Sequence, residues 1–78
     1  MKAMDARELP FYVLVSLNNK GPATVNELLN REGLKNNTRE QLLAALEEDK
    51  RDGYIDRDYS DVWFITQSGK NRLLVERD

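Results

Sequence analysis

The chain contains neither cysteine nor histidine. That removes disulfide staples, thiol nucleophiles and the ordinary ligand sets for zinc and haem, and with them most catalytic chemistry. Ser16, Ser60 and Ser68 have no histidine to activate them, so nucleophilic catalysis is not expected and no cofactor is implied. Aromatic residues are 8% of the total, and the longest apolar run near the start, Phe11 to Val15, has five residues. A run of that length neither spans a bilayer nor serves as the core of a secretion signal, so no membrane association and a cytoplasmic location are expected. There is no excess of positive charge either: the net charge is −2.

What remains is 78 residues, 40% apolar and 33% charged. This is the balance of a folded water-soluble chain, with length for one domain and one core over residues 1–78, its first seven or eight residues expected to fray.

Residues 36–53, NNTREQLLAALEEDKRDG, organise the rest. Thr38 followed by Gln41 is a capping box, in which the hydroxyl accepts from the third backbone N–H and the amide reaches back to the cap. Leu42, Ala45, Leu46 and Asp49 then recur at intervals of three and four, and Gly53 supplies a left-handed stop. The spacing predicts a helix over 39–52. Upstream, Thr24 and Glu27 form a second capping box that opens a short helix over 25–32, with Val25, Leu28 and Leu29 inward and Asn26, Glu27, Asn30 and Arg31 outward. Two short helices joined by the connector GLKNN predict helix-turn-helix.

An earlier helix is expected over 9–19, opened by Leu9-Pro10 and stopped by Lys20-Gly21-Pro22. Proline fits a first helical turn because its missing donor would be unpaired there anyway. Leu9, Val13 and Leu17 form a stripe that Phe11, Tyr12, Leu14 and Val15 widen, as befits a central buried helix. After Gly53 the period becomes two, predicting strands at 54–58 and 62–66 around a polar tip, with Trp63 and Ile65 on one face and Val62 and Phe64 on the other. A short helix carrying Leu73 and Leu74 is expected after Ser68.

The expected class is therefore α+β: a winged helix-turn-helix with a three-helix core, a two-stranded β-hairpin wing and a short C-terminal helix. Residues 9–74 resemble the DNA-binding core of MarR- and PadR-type bacterial transcriptional regulators. The segment VLVSLNNKGPATVNEL resembles the helix preceding the recognition helix, LEEDKRDGYIDR its end, and ITQSGKNRLL the exit from the wing. The resemblance implies double-stranded DNA as partner, with the recognition helix in the major groove and the wing on backbone or minor groove.

Carried onto this chain, it implies contacts from Lys35, Asn36, Asn37, Thr38, Arg39, Gln41 and Arg57. Arg39 is suited to bidentate pairing with guanine and Gln41 with adenine. Each also has a local reading. Asn36, Asn37 and Thr38 fit turn and cap positions, Arg39 fits a solvated surface charge, and Arg57 fits a pair with a neighbouring aspartate. Neither 34–53 nor 54–65 carries a net positive charge, and Glu40, Glu47 and Glu48 line the outer face of the third helix. That acidic face motivates a second functional class, a winged helix that docks a protein partner. A basic stripe through Lys35, Arg39, Arg57 and Lys70 would favour DNA. Asp56, Asp58 and Asp61 resemble a loose calcium cluster without the spacing of an EF-hand. Trp63, Phe64, Tyr54 and Tyr59 are either a stacking platform for single strands or the packing of the hairpin.

Overall fold

A computed structural model describes residues 9–76. The expected fraying of Met1 to Glu8 lies outside the described residues. The elements are α1 (Leu9–Lys20), α2 (Val25–Leu29), α3 (Arg39–Arg51), β1 (Ile55–Arg57), β2 (Trp63–Ile65) and α4 (Gln67–Glu76). Among the described residues, four helices and one antiparallel hairpin make an α+β arrangement, in an order compatible with a winged helix. Among the described residues no helix is long and apolar enough to cross a membrane.

α1 is the element on which the others are assembled, packing against α3, β2 and α4. Leu9, Val13, Leu14 and Leu17 are buried in the core, whereas Tyr12 points outward, so the helix is covered on most but not all of its circumference. Its C-terminal carbonyls are closed by Arg31, whose Nη1 donates to Ser16 O at 3.3 Å and Gly21 O at 2.9 Å. Helical spacing had put Arg31 on the solvent side. It folds back because a cation at a helix C-terminus satisfies carbonyls that have no intrahelical donor.

α2 is three residues shorter than the spacing predicts. Asn30 caps it, Gly33 takes φ +87°, and turn bonds from Leu34 N and Lys35 N to Arg31 O carry the chain across. Continuing the helix would carry Leu34 away from the interior, where it is fully buried. The burial of this one connector residue outweighs the last turn of a short helix that has little stability of its own.

α3 begins and ends as expected. Thr38 Oγ1 accepts from Gln41 N at 3.1 Å, and Gln41 Oε1 accepts from Thr38 N at 3.0 Å. At the other end Gly53 N donates to Lys50 O and Tyr54 N to Asp49 O, both at 3.0 Å, a Schellman closure. Leu42, Ala45 and Leu46 are buried, and Asp49 extends their stripe into the interior.

β1 and β2 pair Ile55 with Ile65, Asp56 with Phe64 and Arg57 with Trp63, leaving a tip of 58–62. Ile55 and Trp63 enter the core and Ile65 packs against it. Beyond the hairpin, Ala23 bridges to Trp63 through a pair of backbone bonds of 2.8 and 3.0 Å. The link between α1 and α2 thus serves as a third, one-residue edge that ties the hairpin to the start of α2. Thr66 then turns the chain into α4: its N donates to Tyr54 O, its hydroxyl donates to Gly53 O and accepts from Gly69 N.

Candidate functional site

Where α2 and α3 begin beside the hairpin, the surface is hollowed into a groove of about 420 Å³. Each wall has a local cause. Thr24 and Thr38 cap the two helices and so present their first turns at the surface, while the Ala23–Trp63 bridge holds the hairpin alongside. Arg39 from the first turn of α3 and Arg57 from the hairpin both line the groove, together with the polar Thr24, Asn26, Ser60 and Asp61. Arg39 Nη1 donates to Asn26 Oδ1 at 2.7 Å, which orients the guanidinium without neutralising it. Arg57 lies over the Trp63 ring, its Cζ 5.2 Å from the centroid, and its Nη1 is 3.9 Å from Asp61 Oδ1. The ring supports an extended arginine through cation–π attraction, and the long, exposed contact with Asp61 takes little from its charge.

The other residues singled out in the sequence have local tasks. Thr38 and Gln41 spend a hydroxyl and an amide oxygen on the capping box, so a bidentate contact of Gln41 with adenine requires opening the box. Asn37 Nδ2 donates to Leu34 O in the connector at 3.2 Å. Lys35 pairs with Glu32 at 3.0 Å in an exposed contact, and Asn36 is exposed in the same turn. Lys70 lines a different groove, between α1 and α4, from the one that Arg39 and Arg57 share.

On α3, Glu40, Ala44, Glu47 and Glu48 are all exposed. At the hairpin tip Asp58 Oδ1 accepts from Ser60 N at 2.8 Å and Val62 N at 3.1 Å, and Asp56 Oδ1 accepts from Arg57 N at 2.8 Å. These carboxylates shape the turn, and among the described residues no group of His, Cys, Asp or Glu is placed to hold a metal ion. The four hairpin rings do not share an open face: Trp63 is 1% exposed and Tyr59 102%, with Tyr54 and Phe64 half-buried.

The family resemblance singled out Arg39 but not Asn26, which helical projection assigned to solvent. Its pairing with a residue 13 positions away depends on how α2 crosses α3, and nothing local signals that. No family model matches the chain, and neither a curated protein nor a solved structure matches it.

Proposed function

We propose that the protein is a winged helix-turn-helix that binds double-stranded DNA and acts as a transcriptional regulator, through α3 and the hairpin. The observation that carries the reading is the convergence of Arg39 and Arg57 on one groove between the first turn of α3 and the hairpin. Two guanidinium groups on one groove, beside the neutral Thr24, Asn26 and Ser60 and outnumbering the single carboxylate of Asp61, suit the oxygens of a phosphate backbone, which arginine grips with its planar fork. The MarR- and PadR-like spacing over residues 9–74 supports the same reading, and a DNA-binding role implies a cytoplasmic location.

A second reading, docking of a protein partner, is favoured by a specific observation: the exposed face of α3 carries Glu40, Glu47 and Glu48, and the hairpin adds exposed Asp56 in β1 and Asp58 and Asp61 in the tip. Carboxylates facing a duplex repel it, whereas they attract a basic partner.

A mobility-shift titration against pooled genomic fragments separates the two. For DNA, Arg39→Ala weakens binding by about 1–3 kcal/mol, affinity falls as salt rises, and Glu47→Lys with Glu48→Lys strengthens binding by removing repulsion. A flat result for wild type and both variants at low salt rejects the DNA reading.

A further inference from the structure

Asp49 occupies a position that its helix reserves for apolar side chains. It follows Leu42, Ala45 and Leu46 along the buried stripe of α3 and is only 3% exposed. Among the described residues its Oδ2 has no hydrogen-bond partner, and it is shut off from solvent. A carboxyl oxygen in that state costs stability unless it carries a proton or gains a partner.

Its surroundings are specific. A crevice of about 160 Å³ beside it is walled by Pro10, Phe11 and Leu14 of α1, by Glu48 and Asp52 of α3, by Tyr54, and by Arg72 of α4. Among the described residues, the groups facing Asp49 are thus two carboxylates from its own helix and its cap, one phenol, and one guanidinium from α4, while residues 9–20 of α1 contribute no titratable side chain to the crevice. Burial first, then the charges of Glu48 and Asp52, push the Asp49 carboxyl up from its ordinary 3.8 to about 8, against the pull of Arg72.

α4 closes this seam and is the most lightly held helix around it. Of its apolar residues Leu73 alone is buried, while Leu74 and Val75 are 61% and 68% exposed. Elements with little buried apolar surface open at the lowest free energy.

We propose that Asp49 makes the meeting point of α1, α3 and α4 a proton-controlled latch, closed over the protonated side chain and released by loss of the proton to solvent. The direction follows from linkage. In the closed form Asp49 holds its proton up to about pH 8, whereas in an opened form, with ordinary solvation, it gives the proton up near 3.8. The closed form therefore binds more protons throughout that window, and its population relative to the open form falls about tenfold for each unit that pH rises. Above the window the dependence vanishes. The latch lies at the opposite end of α3 from Arg39, so it does not rest on the DNA reading, while Glu48 belongs both to the crevice and to the acidic outer face.

The test is made on the full chain. The side-chain carboxyl ¹³C shift of Asp49 is followed against pH, with amide hydrogen exchange of every element measured from pH 5 to 7.5 and corrected for intrinsic exchange. The latch predicts an Asp49 midpoint near 8 and protection in α4 that falls by up to tenfold per unit while that of α3 falls less. Asp49→Asn makes α4 protection independent of pH. Arg72→Gln raises the Asp49 midpoint and Glu48→Gln lowers it, and these two variants keep the test decisive if Asp49→Asn does not fold. A midpoint near 4 overturns the proposal. So does a uniform loss of protection in all elements, or an unchanged slope in Asp49→Asn.

Discussion

Gly69 is irreplaceable for a reason that no helix propensity captures. It is the third residue of α4, where alanine would ordinarily stabilise by about 1 kcal/mol. A Cβ at this position would stand 2.6 Å from Ile65 Cγ1 and closer still to the backbone oxygen of Tyr54, which cannot swing aside because it accepts the bond from Thr66 N. Gly69→Ala should therefore push α4 off the hairpin and destabilise by at least about 2 kcal/mol net. A urea midpoint that stays the same or rises contradicts this. The glycine was legible as part of the wing exit ITQSGKNRLL, but its cause was not, because the atoms it avoids belong to Tyr54 as well as to its own neighbourhood. Arg31 and Asn26 were illegible for the same reason: Arg31 is defined by carbonyls 10 and 15 positions away and Asn26 by a side chain 13 positions away. Thr38, Gln41 and Asn37 were legible as cap and turn residues because their partners lie within three positions.

Among the elements, α3 was the most readable, since two capping interactions, an unbroken apolar stripe and a terminal glycine all agree. Its docking on α1 rests on fully buried Leu46 within the shared core. Leu46→Ala should cost about 2–5 kcal/mol, the range for deleting a leucine side chain from a close-packed interior. An unchanged denaturation midpoint would mean that α3 is rotated about its axis. α2 was over-read by three residues because its period continues in sequence while the burial of Leu34 ends it in space. The strands are shorter than β-propensity predicts by one residue at each end, and only single backbone bonds, Asp58 N to Val62 O and Thr66 N to Tyr54 O, continue beyond the ladder. The bridge from Ala23 to Trp63 left no pattern at all, one residue being too short for a period.

At the scale of the whole molecule, the distribution of charge decides function. The chain is net negative, and the acidic outer face of α3 shares its surface with a groove holding two arginines. If DNA is the ligand, the duplex must meet the groove side and not the Glu47–Glu48 side, so contact is confined to the first turns of α2 and α3 and to the hairpin. Such a small set of cations gives a shallow electrostatic footprint, with affinity that depends on salt through few phosphates. The most direct measurement is a map of amide chemical-shift changes on titrating a duplex at low salt. DNA binding through the groove predicts that the largest changes fall at 24–26, 38–41 and 57–63, weaken in Arg39→Ala and Arg57→Ala, and spare α4. Shifts centred on Glu47 and Glu48, or none at any duplex concentration, would contradict it.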